Sequence, residues 1–216
     1  MRVIAIDGPA GSGKTTVARA VAARLGVEHL DTGAMYRSVA FAALQSGVDP
    51  MDVEKVAELA LHLRIEVDDR RVLVDDVDAT DAIRGPDVSV AVSTVAQNVA
   101  VRSELVRRQR AWAAARGGAV MEGRDIGSVV LPDADVKVYL VADDAERARR
   151  RARQDGAADV AGAAADVARR DRIDAGRAAS PMVVAEGAVV IDTTGRTIEQ
   201  VVDAVVALAE SAKGDG

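Results

Sequence analysis

Residues Ala5 to Thr16 read AIDGPAGSGKTT, a glycine-rich turn directly behind a run of apolar residues and directly ahead of a helical pattern. Gly8-Pro9-Ala10-Gly11-Ser12-Gly13-Lys14-Thr15 fits G-x-x-x-x-G-K-[ST] in full, and the strand before it and helix after it supply the context the motif requires. No other stretch limits the fold as strongly, because such a loop belongs to an α/β core. The glycines let backbone N–H groups turn inward around a phosphate, the helix N-terminus adds positive potential, and Lys14 reaches the β- and γ-phosphates. Thr15 offers a hydroxyl to Mg²⁺. Gly8 to Thr16 are therefore the expected nucleoside triphosphate site, with Lys14 as a solvent-facing loop side chain. A glycine-rich turn that merely leads a helix explains the glycines but not Lys14 followed by Thr15. The dinucleotide pattern G-x-G-x-x-G fits nowhere in this stretch.

Strand-length apolar runs recur at Arg2 to Ile6, Ala119 to Met121, Val136 to Val141 and Ala188 to Ile191, with Val27 to Asp31 as a short second strand. Gly13 to Leu25 places Val17, Ala20, Val21 and Leu25 at helical spacing and stops at Gly26, where a left-handed cap is expected. Leu63 to Thr80 alternates apolar and polar residues around Asp69-Arg70, which predicts a small antiparallel hairpin inserted in the parallel core. Asp87 to Ala115 reads as helical, with Trp112 as a packing residue. Asp155 to Ala165 has few large apolar residues and lies between two arginine clusters, the composition of a lid. Residues 212–216 are expected to fray.

The chain has 216 residues, no cysteine and a net charge of −6. Without cysteine there are no disulfides or thiolate metal sites, which suits the cytoplasm. The acidic balance argues against a sequence-independent grip on nucleic acid, and no apolar run approaches a membrane span or a signal-peptide core. The arginines are bunched in Arg102 to Arg110, Arg147 to Arg153 and Arg169 to Arg177. Solvated helix faces would explain any one cluster; three beside a phosphate loop point towards anionic ligands, because guanidinium grips phosphate bidentately.

The loop holds a donor phosphate, so an acceptor site must lie elsewhere. No N-K-x-D element of a switch GTPase occurs, and the nearest approach to a motor's acidic strand end is Val120-Met121-Glu122. Asp31-Thr32-Gly-Ala-Met-Tyr-Arg37 follows the second strand without a gap. Together with Glu122-Gly-Arg-Asp-Ile-Gly127, Leu131-Pro-Asp-Ala-Asp135 and Arg170-Asp-Arg-Ile-Asp174-Ala-Gly-Arg177, in that order, it resembles the bacterial cytidylate kinases over about residues 2–210. Two positions depart from the family pattern: Thr15 stands where Gly is frequent, and Glu122 where Asp is frequent. Thr15 restores a hydroxyl for Mg²⁺ and Glu122 keeps a carboxylate.

The resemblance implies an α/β fold of the P-loop nucleoside monophosphate kinase type. A five-stranded parallel sheet wrapped by helices would carry a β-containing CMP-binding insertion at about 32–100 and a lid at about 150–170, all in one kinase domain. It implies transfer from ATP, with Mg²⁺, to CMP and dCMP. Thr32, Arg37, Arg124 and Arg177 would meet the acceptor phosphate; Ser93, Arg102 and Asp125 would face cytosine; Arg170 and Asp174 would hold the ribose. Lys14, Arg124, Arg151 and Arg170 would act on the transferred group, with Arg147, Arg150 and Arg153 as further lid donors. His29 and His62 are expected to be structural, and the protein a monomer. The rivals are a kinase for UMP or shikimate and a nucleotide-dependent switch.

Overall fold

In chain order the first elements are β1 (Arg2–Asp7), α1 (Lys14–Leu25), β2 (Glu28–Asp31), α2 (Thr32–Gln45) and α3 (Val53–His62). A small sheet follows, of β3 (Ile65–Val67), β4 (Val72–Val74) and β5 (Val77–Asp78), then α4 (Pro86–Val95) and α5 (Val99–Ala114). The chain returns through β6 (Gly118–Gly123), β7 (Val136–Val141), α6 (Asp144–Gln154), α7 (Val160–Ala175), β8 (Val189–Asp192) and α8 (Ile198–Ser211). This computed structural model describes residues 2–154, 159–177 and 179–212. They divide into two compact units, Met1–His29 with Arg116–Gly216, and Leu30–Ala115.

The first unit is built on a parallel five-stranded sheet in the order β2-β6-β1-β7-β8. Strands buried on both faces need apolar runs rather than alternation, and β1, β6 and β7 supply them. Ile4, Ile6, Val120, Val138 and Leu140 pack with Val17 and Val21 of α1 and Val201, Val202 and Val205 of α8. Asp7 pairs in register with Gly123 of β6 and with Tyr139 of β7. The loops after β1 and β6 therefore leave the sheet side by side at its C-terminal edge, where α/β folds bind ligands. Gly26 ends α1 in the left-handed conformation the sequence predicts, at φ 66 and ψ 35. Thr197 and Gln200 close a reciprocal capping box on α8, an arrangement whose Thr side is worth about 1 kcal/mol.

The second unit packs α2 to α5 with the three-stranded antiparallel sheet β3-β4-β5. Val39, Val56, Ile83, Val95 and Leu105 are fully buried in it. The expected hairpin turns at Asp69-Arg70, but a second tight turn at Asp75-Asp76 adds β5. Both of its residues have positive φ, 47 and 67, the pattern of a two-residue hairpin loop usually filled by Asn or Gly, so two aspartates gave a weak signal. The helical stretch from Asp87 breaks into α4 and α5 where Asn98 Oδ1 accepts from the amides of Ala100 (3.1 Å) and Val101 (3.3 Å). Among the described residues no helix is long and apolar enough to cross a membrane. The sequence's lid segment includes residues 155–158, and its frayed tail residues 213–216; both stretches lie outside the described residues.

Candidate active site

The glycine-rich loop closes on itself between β1 and α1. Gly8 has φ 149, and a Cβ there would stand 2.2 Å from the Leu140 carbonyl oxygen, so only glycine passes so close to β7. Gly11 has φ 75, with the backbone of Arg147 where a Cβ would go. Lys14 corrects the sequence expectation. It does not face solvent: it is 8% exposed, and its Nζ donates to the Pro9 carbonyl at 2.8 Å. Burial first, and the Arg124 guanidinium second, pull its ammonium down to about 7 against the attraction of Glu122, Asp171 and Asp7. An anion placed in the loop would restore the full positive charge.

Behind the loop stand acidic side chains that fix its surroundings. Thr15, one residue into α1, donates its hydroxyl to Glu122 Oε2 at 3.0 Å, and Glu122 Oε1 lies 3.3 Å from His29 Nε2. Asp7 accepts from the amides of Ile126 (2.8 Å) and Gly127 (2.7 Å), which ties the end of β1 to the turn after β6. Burial pushes its carboxyl up to about 6, although those two amides pull the other way. Asp125 is buried at the head of that turn. Arg124 bridges the loop and α7, with Nη1 on the Gly8 carbonyl and Nε on Asp174 Oδ2, each at 2.8 Å. Despite burial, Arg124 and Arg177 hold the Asp174 carboxyl below its ordinary value.

The two helices after β7 approach the same loop. On α6, Arg147 donates to the Ala10 carbonyl at 3.0 Å and pairs with Asp171 of α7. Asp171 in turn accepts from the Ala10 amide at 2.9 Å. Arg150 reaches Thr193 Oγ1 at 2.9 Å, Glu146 Oε1 at 2.9 Å and the Ser12 carbonyl at 3.4 Å. Arg170 is buried on α7. Burial first, then Arg124 and Arg151, pull its guanidinium down to about 10, against the attraction of Asp166 and Asp174. Arg177 pairs with Asp174. The first unit thus brings together Gly8 to Thr16, Arg124, Asp125, Arg151, Arg170, Asp174 and Arg177.

Arg153 lies in the last turn of α6 in the first unit, whereas Thr32, Arg37, Ser93 and Arg102 belong to the second. Thr32 is buried at the start of α2, whose N-cap Asp31 accepts from the Ala34 amide. Arg37 Nη1 donates to the Ile83 carbonyl (3.2 Å) and Ser89 Oγ (3.1 Å). Ser93 is buried on α4. Arg102 is buried with Nη1 on the Ala96 carbonyl at 3.3 Å, and its guanidinium lies 5.3 Å from the centroid of the Tyr36 ring. Its neighbours in the same arginine cluster do other work. Arg108 donates to the carbonyls of Ala60, Leu61 and Leu63 at the end of α3, and with Arg107 it pairs with Glu104.

Sequence reasoning missed Asp7, Asp171 and Tyr36. Tyr36 stood in a quoted motif as one of two tyrosines in the chain, a signal that was there to use. Asp7 and Asp171 gave none, since an aspartate at a strand end or in a charged helix is ordinary. The fit of a divalent cation rests on oxygen donors. Among the described residues no group of three or more His, Cys, Asp or Glu could hold a metal, so there is no all-protein cage. The Thr15 hydroxyl beside a Glu122 oxygen suits Mg²⁺, which keeps several waters and takes one or two protein oxygens together with substrate phosphates.

The family model for cytidylate kinase matches residues 4–211. The cytidylate kinase of Pelotomaculum thermopropionicum is 49% identical over 214 residues, covering 94% of this chain and 94% of the relative. That of Desulfitobacterium hafniense is 46% identical over 212 residues, covering 95% and 91%. Among solved structures, the shikimate kinase of Acinetobacter baumannii in complex with shikimate superposes with a TM-score of 0.50 over 99% of this chain and 95% of its own. At 19% identity that likeness shows the fold alone.

Proposed function

The chain belongs to the cytidylate kinase family, and we propose that it transfers the γ-phosphoryl group of ATP to CMP, and to dCMP, in the cytoplasm. The observation that carries the reading is the loop itself. A buried Lys14, whose ammonium is held down to about 7, sits in a glycine-rich turn backed by Thr15 and Glu122 and bridged through Arg124 to α7. A polyphosphate in such a site would favour the charged form of that ammonium.

The chemistry asks for alignment and charge neutralisation rather than for a strong base, because the attacking oxygen of CMP is already ionised at neutral pH. That oxygen forms a bond to the γ-phosphorus of ATP, the bond from the γ-phosphorus to the β–γ bridging oxygen breaks, and the electron pair leaves with ADP. The loop amides and Lys14 would hold the β- and γ-phosphates, and Arg124, Arg151 and Arg170 would neutralise charge on the group in flight. Thr15 Oγ1 and Glu122 Oε2 would hold Mg²⁺, which would supply charge neutralisation to the phosphates. Thr32, Arg37, Arg124 and Arg177 would receive the CMP phosphate, and Arg170 with Asp174 the ribose. Ser93, Arg102 and Asp125 would read cytosine, with a lid at about residues 150–170 excluding water.

Cytosine offers an amino donor at N4 where uracil presents an acceptor, so a carboxylate at that edge accepts from one and repels the other. The test is ADP release with Mg²⁺·ATP against CMP, dCMP, UMP, AMP and no acceptor. Turnover with CMP and dCMP well above the others is expected; preference for UMP or AMP, or equal turnover without acceptor, overturns the reading.

A further inference from the structure

Strands β2 and β6 are neighbours in the sheet, and they bring two buried polar side chains together directly behind the phosphate loop. The His29 side chain is 2% exposed and that of Glu122 4%. The two oxygens of Glu122 serve different partners: Oε1 lies 3.3 Å from His29 Nε2, and Oε2 accepts the Thr15 hydroxyl at 3.0 Å. A carboxylate only accepts, so the first contact requires the imidazole proton on Nε2. The terminal torsion of a glutamate is broad, and a carboxylate held at one oxygen alone can rotate the other away. Held at both, Glu122 has its plane set.

An imidazole is a costly choice for mere filling. A buried polar ring must find partners or be penalised for each group left without one, a demand that an apolar side chain does not make. The cost is offset where the bond places something that must be placed. What it places here is the oxygen beside Thr15, the residue whose hydroxyl fits the divalent cation of the nucleotide.

We propose that His29 is a positioning residue: its Nε2–H fixes Glu122 Oε1 so that Oε2 and the Thr15 hydroxyl stand as a preset pair of hard oxygens for the cation that accompanies the bound nucleotide. The inference rests on the reading of the loop as a nucleotide site. Mg²⁺ demands near-ideal octahedral geometry, so a preset oxygen pair favours the ion over a pair that must be ordered on binding. Partners one bond behind a ligand typically change metal affinity about 10- to 100-fold when removed.

The experiment measures cation uptake apart from turnover. Mn²⁺ is titrated into the protein with ADP and followed by electron paramagnetic resonance, and ADP binding is measured separately in the presence of EDTA. His29→Leu is expected to weaken Mn²⁺ uptake about tenfold while leaving metal-independent ADP binding within about twofold. His29→Gln, whose amide nitrogen can reach the same oxygen, should recover most of the loss. A folded His29→Leu that takes up Mn²⁺ as the wild type does, or a Gln variant no better than Leu, overturns the proposal. Should the Leu variant fail to fold, ¹⁵N imidazole spectra of the wild type decide. The Nε2–H tautomer is expected, with a resonance that shifts when Mg²⁺ is added to the ADP-bound protein; the other tautomer, or an unmoved resonance, refutes it. Wild-type protein that takes up no Mn²⁺ with ADP would refute the nucleotide reading as well. Failure to phosphorylate CMP with His29-dependent uptake intact would refute only the acceptor.

Discussion

The candidate site residues of the two units bond their cations in different ways. In the first, buried charges are wired to one another and to the loop backbone: Lys14 among Arg124, Glu122, Asp171 and Asp7, Arg124 between Gly8 and Asp174, Arg147 on Asp171 and Ala10. In the second, Arg37 and Arg102 donate to the carbonyls of Ile83 and Ala96 and to the hydroxyl of Ser89, and Arg102 lies over an aromatic face. Bonds to neutral acceptors fix a guanidinium's direction. The first arrangement suits a site where charge moves during reaction and must be balanced at each stage. The second suits recognition, where a guanidinium is held in a set direction.

The largest test of this contrast is Lys14→Met. It should lower kcat by at least about 10²-fold, the scale of one electrostatic donor, with the dissociation constant for CMP little changed. Near-normal turnover in a folded variant would sink the assignment of the loop.

Asp125 sharpens the contrast because it is the first-unit residue proposed to read cytosine. Asp125→Asn, whose amide can donate to uracil O4, should narrow the CMP-over-UMP ratio in kcat/KM by at least about tenfold, chiefly by harming CMP. Equal loss for both acceptors would mean that Asp125, which stands close enough to Asp7 to raise its carboxyl further, holds the turn together instead.

Arg102→Met examines the second unit directly. Its KM for CMP should rise about tenfold, as for a lost charged hydrogen bond, while KM for ATP stays within about twofold. A fall in kcat with both KM values unmoved would erase the division between chemistry and recognition.

The smallest effect is on pH. The Lys14 ammonium is held at about 7 against an ordinary 10.5, so the unfolded chain binds more protons between those values and stability rises with pH across that window, the penalty being complete below 7. Asp7 has the opposite sign. Its carboxyl at about 6 against 3.8 makes the folded state bind more protons in between, so stability falls as pH rises through that range. Since phosphate binding requires charged Lys14, ATP affinity should weaken about fivefold from pH 7 to 8 with uptake of a proton. Calorimetry in buffers of different ionisation heat reads that proton; a pH-independent affinity would show that burial does not hold Lys14 down.

Much of the first unit was legible because its signals are local. Apolar runs, a left-handed stop at Gly26 and the loop between β1 and α1 depend on neighbours a few residues apart. The second unit read less well for the same reason. The turn at Asp75-Asp76 uses residues that only tolerate positive φ, and the break at Asn98 is a cap inside a continuous helical pattern.

Sequence by itself determined the identity of the loop, the parallel α/β core and the residue types available to act on phosphate. The register of motif residues along the chain is enough for these, since each is a short-range pattern with a physical task. Only the tertiary structure decided which charges meet. Asp7 reaches the amides of Ile126 and Gly127 across 119 and 120 residues of chain, Asp171 reaches Ala10 across 161, and His29 meets Glu122 across 93. Such pairings come from sheet order and helix packing, and they carry the burial that pulls Lys14 down. Pair energies depend on separation and on local dielectric, and neither is written at the position of any one residue.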